Sequence, residues 1–287
     1  GRGRGRGQGR GCGGSAGKGT RKMKRLLLQK LSPSQSGEVR SLLTLPISEV
    51  KYPKVTLKDT DFRRLRERPR RSQEPESRFH LNDELINTFV SLVQPALPAQ
   101  SASKSSGNSV LVMNTFFYQR LTQDGVFNYK NVKRWHRHFN IFNRGLVLFP
   151  IHLPGHWALV AFDPKESALF YVDSLEESDD DSDSARRTEV CGHIADYLEC
   201  EAARLRATGA KGWVPGEGAV FVVADAAGLC DDQRPPQQAN LWDCGVFLLA
   251  AIYQLANGAA VRWQQADMGT LRGRIALSLK SKKLRFD

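Results

Sequence analysis

The chain has 287 residues, enough for one large domain or two small ones, and 40% of them are apolar, sufficient for a packed core. Its net charge of +12 is uneven: residues 1–71 carry 20 basic and 5 acidic groups and the remainder 22 and 25, so the basicity says little about the main body. Five scattered cysteines do not make a secreted disulfide framework, and no segment has the length and apolarity of a membrane span or signal peptide, so a soluble protein of a reducing, intracellular compartment is expected.

Residues 1–19 repeat Gly-Arg and then become Gly/Ser-rich, a composition that cannot bury enough apolar surface to offset backbone entropy. Such a tail is either solvated or a binder of RNA or acidic partners through charge and stacking. The basic run from Arg63 to Arg71 reads as a solvated stretch or as a nuclear-import or nucleic-acid patch. Residues 1–50 are read as a largely disordered basic segment, with order beginning near Tyr52 and one domain over 51–287.

From Asn82 the sequence reads as an N-capped helix, with Asp83 and Glu84 in the first turn and Leu85, Phe89 and Leu92 on one face. Ala96 to Asn108 is a loop, and Thr115 to Leu121 a second short helix. Apolar runs at 146–150, 157–162 and 169–173, divided by Pro/Gly and Asp-Pro-Lys turns, are expected to be consecutive strands of a mainly buried sheet. An acidic loop from Glu176 to Asp183 precedes a helix from about Thr188 to Ala207 with Ile194, Tyr197, Leu198, Ala202 and Leu205 on one stripe. Ala219 to Ala224 is a further strand. Cys244 to Leu255 reads as a buried helix ended by Gly258, and Met268 to Lys283 as an amphipathic, basic-ended one.

His156 opens one of these strands, Asp173 closes the next, and Cys244 opens the apolar helix. Alone, each is more often a structural residue than a functional one; together they meet the needs of one mechanism. A thiol at neutral pH is mostly protonated and needs a helix N-terminus and an imidazole to become a nucleophile. His156 can take and return the proton, and Asp173, 17 residues on, can hold the imidazole in its useful tautomer. Gln238, six residues before Cys244, and the backbone N–H of Cys244 suit a developing oxyanion. Gly245 leaves room for close approach, and Trp157 offers either a flat channel wall or a core aromatic.

His156-Trp157, Asp173-Ser174-Leu175, and Gln238 followed by Asn240-Leu241-Trp242-Asp243-Cys244-Gly245-Val246-Phe247 resemble the sentrin/SUMO-specific ubiquitin-like protease family. Leu81-Asn82-Asp83-Glu84-Leu85-Ile86-Asn87, Val132-Lys133-Arg134-Trp135 and Gln265 through Arg272 resemble further family segments. The order His, Asp, Cys separates the chain from papain, whose cysteine comes first. The resemblance implies an α+β papain-like fold, with a central mixed or antiparallel sheet flanked by helices and the nucleophile at the start of a buried helix. It implies a cysteine protease that cleaves SUMO or a Nedd-type modifier after its C-terminal diglycine, acting as a monomer in the nucleus or cytoplasm, with His156, Asp173, Cys244 and Gln238 catalytic. Substrate contacts are expected from Trp157, His80, Asp83, Gly245 and Trp242.

The sequence departs from the family at three places. His80 stands where a tryptophan is usual, the acidic insert lengthens the loop after Asp173, and Trp242 replaces a small or tyrosyl residue. A clan-related acetyltransferase and a non-catalytic modifier-binding module remain alternatives. The other cysteines lack paired spacing, so neither a metal nor any other cofactor is expected.

Overall fold

The computed structural model describes residues 28–69, 71–96, 109–137, 139–175, 181–232 and 234–286. The Gly/Arg-rich stretch, most of the loop from Ala96 to Asn108 and the first residues of the acidic insert lie outside the described residues. Order begins well before Tyr52. Helix α1 (Pro33–Thr44) opens on a capping box, in which Ser32 Oγ accepts from the Gln35 N–H and Gln35 Oε1 from the Ser32 N–H, with Pro33 at the first helical position. It packs against α7 (Met268–Ser281), burying Leu42 and Leu43. Gly273 permits this contact, since a Cβ there would lie 2.8 Å from Leu31 Cδ1.

A short hairpin, β1 (Val50–Lys51) with β2 (Thr56–Leu57), and helix α2 (Asp59–Arg63) lead to α3 (Asp83–Ala96). Asn82 caps α3 as expected, its Oδ1 accepting from the Leu85 N–H at 3.2 Å. The buried face runs through Leu85, Phe89 and Val93, whereas Leu92 is only partly covered.

A mixed five-stranded sheet follows the order β3 (Val110–Val112), β4 (Leu146–Leu153), β5 (His156–Asp163), β6 (Ala168–Val172), β7 (Val222–Ala224), with parallel pairings at both edges and antiparallel ones between. The central strands β4, β5 and β6 are apolar at most positions because both faces are covered, whereas Val222 and Val223 of edge strand β7 are exposed. In β5, Trp157, Leu159 and Ala161 enter one core with α3, α6 (Cys244–Ala256) and α7; Ala158, Val160 and Phe162 enter the other with α4 (Phe116–Leu121) and α5 (Asp181–Ala207).

Helix α5 begins seven residues earlier than expected. Its first turn includes Asp183, and a carboxylate favours a helix N-terminus even where composition suggests a loop. The apolar stripe from Ile194 to Leu205 is buried as read. Helix α6 is apolar all round and buried except at Tyr253, and Gly258 follows its end with φ +66°. Helix α7, expected to be amphipathic and basic-ended, also takes Arg272 and Arg274 inside, satisfied by backbone carbonyls and, for Arg272, by a carboxylate.

Candidate active site

Leu153 and His156 are cross-strand partners closed by Pro154-Gly155, where Gly155 has φ +71°, so the β4–β5 turn fixes His156 at one end of the sheet. The antiparallel β5–β6 register brings the end of β6 to that end, and Asp173 follows immediately. His156 Nε2 and Asp173 Oδ1 lie 2.6 Å apart. A carboxylate only accepts, so Nε2 donates and Nδ1 is left; Nδ1 is buried with no hydrogen-bond partner. Asp173 also accepts from Tyr171 Oη at 3.0 Å and from the Leu175 N–H at 2.9 Å.

Cys244 is the first residue of α6, 1% exposed, and interacts with the imidazole of His156. Burial works against a charged His156, but the hydrogen bond and charge of Asp173, with the neighbouring Cys244, outweigh it and hold the imidazole at about 9. Burial likewise opposes ionisation of Asp173, yet the His156 hydrogen bond and charge, with help from Leu175 and Tyr171, keep it below the usual carboxylate range. The sheet edge thus carries a preformed acid–imidazole pair beside Cys244.

Gln238 is buried beside this pair. Its backbone N–H donates to Ser174 O at 2.8 Å, its Oε1 accepts from Ser174 Oγ at 2.7 Å, and its Nε2 donates to Asn240 O. One Nε2 proton is then left for another acceptor.

The expected substrate residues scatter more widely. Trp157 is 4% exposed, stacked on His152 at 4.1 Å, with its indole N–H donating to Leu81 O at 3.0 Å, so it is chiefly a core aromatic. His80 is half-buried with Nε2 lacking a partner; burial, chiefly, lowers its pKa, with Arg272, Arg64 and His156 adding to the effect. Asp83 lines a groove with Lys51, Tyr52 and Phe116. Trp242 is half-covered by the Arg68 guanidinium, 4.9 Å from its ring centroid. Gly245 has a different reason from the one expected: a Cβ would meet Leu81 Cβ at 2.8 Å, so glycine lets α6 pack against the chain entering α3.

Sequence reasoning missed the scaffold under the nucleophile. Asp243, directly before Cys244, accepts from Arg272 Nη2 at 2.6 Å and Nε at 2.9 Å, and from Asn240 Nδ2 and Gln265 Nε2 at 2.7 Å each. Arg272 also donates to the carbonyls of Arg64, Phe79 and Trp242. The available signal was the pair Arg272 and Arg274 set between the apolar Leu271 and Ile275 of α7.

Residues 79–283 match the Ulp1 protease family, C-terminal catalytic domain. The chain belongs to the Ulp1 protease family. It is 33% identical to mouse sentrin-specific protease 3 over 205 residues, covering 71% of this chain and 30% of the relative. The sentrin-specific protease of Caenorhabditis elegans is 30% identical, covering 71% and 25%, and ubiquitin-like-specific protease ESD4 of Arabidopsis thaliana 28%, covering 68% and 36%. The chain therefore spans about a third or less of the length of these relatives. The solved C-terminal Ulp1 protease domain in complex with Smt3, the yeast ortholog of SUMO, aligns over 91% of this chain and all of that one, at a TM-score of 0.63 and 23% identity. The Chaetomium thermophilum Ulp1-like SUMO protease catalytic domain aligns over 91% and 94%, at 0.60 and 21%. These likenesses establish the α+β papain-like fold, with its mixed sheet and the cysteine opening a buried helix. Among the described residues no helix is long and apolar enough to cross a membrane.

Proposed function

We propose that this chain is a thiol protease that cleaves a small ubiquitin-like modifier, SUMO first and a Nedd-type modifier second, after its C-terminal diglycine. The observation that carries this reading is the 2.6 Å His156–Asp173 bond, with His156 Nδ1 buried and unpartnered next to a cysteine at a helix N-terminus. In the proposed reaction Cys244 gives its proton to His156 and attacks the glycyl carbonyl. The oxyanion is held by the Cys244 N–H and the spare Gln238 amide proton; the imidazolium then protonates the departing amine, and water hydrolyses the thioester. Asp173 keeps the imidazole oriented throughout. The extended tail is assigned to the edge of Trp157 and to His80, with Asp83, Gly245 and Trp242 at the margins. The named activities of the relatives and the complex with Smt3 support the choice of modifier.

The same proposal takes the catalytic unit to include α1, treats it as a monomer, and assigns the chain to the nucleus first and the cytoplasm second. The Gly/Arg-rich segment is a separate arm for RNA or acidic partners. A modifier bearing a C-terminal vinyl or aldehyde trap tests the chemistry. An adduct on Cys244, absent in Cys244→Ala while binding persists, is expected; reversible binding alone by the parent chain would leave only a binding module. A panel of modifier–fluorophore substrates ranks the modifiers.

A further inference from the structure

Between Asp124 and Asp163 the chain carries no carboxylate, while Lys130, Lys133, Arg134, Arg137 and Arg144 all fall in that interval. Turns of helical sense run through its first part: the N–H groups of Val132 and Lys133 both reach Tyr129 O, and that of Trp135 reaches Val132 O. With three to four residues per turn, Val132 and His136 face inward, the first buried and the second packed on Phe117 and Phe139. Lys130, Lys133, Arg134 and Arg137 occupy the outer face and are exposed. Tyr129 Oη donates to Glu201, a carboxylate 2% exposed that also holds Arg204.

Two tryptophans accompany the ridge. Trp135 is 38% exposed and fixed edge-on against Phe117 at 5.6 Å. Trp213 is 52% exposed, edge-on to Phe142 at 6.2 Å, and its backbone is held by Asn140 and Asn143, which follow the ridge closely in the chain. The same asparagines bind the carbonyl of exposed Lys211.

We propose that this surface binds single-stranded nucleic acid, with the basic ridge following the phosphates and the two indoles stacking on bases. An acidic peptide would need only the charge; two exposed indoles, one within the ridge and one tied through its backbone to Asn140 and Asn143, suit a ligand with flat faces. The ridge packs on the α4–α5 core, whereas Cys244 belongs to the opposite core, so this site is separate from the candidate catalytic one and does not depend on it.

The test is fluorescence anisotropy of the full chain with a labelled oligouridylate of about 15 nucleotides across a salt series, each variant first checked by thermal melting. Lys133→Glu/Arg134→Glu is expected to weaken binding at least about tenfold and to lower the slope of log affinity against log salt by about 1.4 or more, at about 0.7 per lost phosphate contact. Trp135→Ala and Trp213→Ala are each expected to weaken binding at least about fivefold with the slope unchanged. If charge reversal unfolds the chain, Lys133→Ala/Arg134→Ala replaces it, with a slope loss of about 1.4. Affinity within twofold of the parent in the charge variants assigns any binding to the Gly/Arg segment and overturns the proposal. So does a polyglutamate peptide that competes as well as RNA, which would mark an acidic-protein surface instead.

Discussion

Replacing Arg272 by methionine tests whether the nucleophile rests on a buried ion pair. The side chains of Arg272 and Asp243 are 2% and 4% exposed and meet through two guanidinium N–H groups. Methionine fills much of the volume but leaves Asp243 buried with only the Asn240 and Gln265 amides as donors, and the carbonyls of Arg64, Phe79 and Trp242 lose theirs. Breaking such a pair from one side costs about 3–5 kcal/mol, because the remaining charge stays desolvated. At about 2–4 °C per kcal/mol for a body of this size, Tm falls by about 6–20 °C. The sharper test is a change of sign, read by thermal or urea unfolding. Asp243→Asn destabilises the parent, where it removes the charge that Arg272 needs, but stabilises the Arg272→Met background, where it removes an uncompensated one. A loss under about 1 kcal/mol for Arg272→Met, or an asparagine effect of the same sign in both backgrounds, refutes the argument.

Gly245→Ala, which sets a methyl against Leu81, should cost about 1–3 kcal/mol by chemical denaturation, and Leu81→Ala in the same chain should recover part of it. His156, raised to about 9 from 6.5, adds stability that is complete below pH 6.5 and lost as pH rises through about 9; Asp173, lowered from 3.8, adds stability present above 3.8 and lost in acid. The basic limb of kcat/KM against pH should therefore lie near 9 and move down by about a unit or more in Asp173→Asn; an unmoved limb would dissociate the imidazole from Asp173. Gln238→Ala should lower kcat by about 10²–10³, measured with a modifier–fluorophore substrate, and full activity would remove the amide from the oxyanion site. Ser174→Ala, which frees the Gln238 carbonyl, should cost about fivefold in kcat at little change in KM, a loss of about 1 kcal/mol.

The central strands were legible because layers on both faces make most positions apolar, and the same uniformity concealed which residue faces which core. Only the register separates Leu159 from Val160. Helix α1 escaped notice because it buries just Leu42 and Leu43, although Ser32-Pro33-x-Gln35 is a local start signal. The start of α5 was hidden by composition, since aspartates that suggest a solvated loop also favour a helix N-terminus. In the candidate site, His156, Asp173, Gln238 and Cys244, which the fold brings together, could be singled out because their chemistry is particular to their residue types. Arg272 and Ser174 could not, because their partners lie 29 and 64 residues away and nothing local marks the contact.

The segment from Gln238 to Cys244 is anchored at each end by a different layer of the fold. At its start the backbone and side chain of Gln238 are both bonded to Ser174, whose neighbour Asp173 orients the imidazole, so the amide and the base share one rigid attachment to the end of β6. At its end Asp243 is held by Arg272 and Gln265, and Cys244 enters α6 directly from it. The guanidinium, bonded to Asp243 through two nitrogens, fixes the loop. Thiol, imidazole and amide are therefore aligned by two separate tethers, one from the sheet and one from the last helix. A perturbation of either tether should change turnover more than it changes the affinity for a modifier bound on the outer surface.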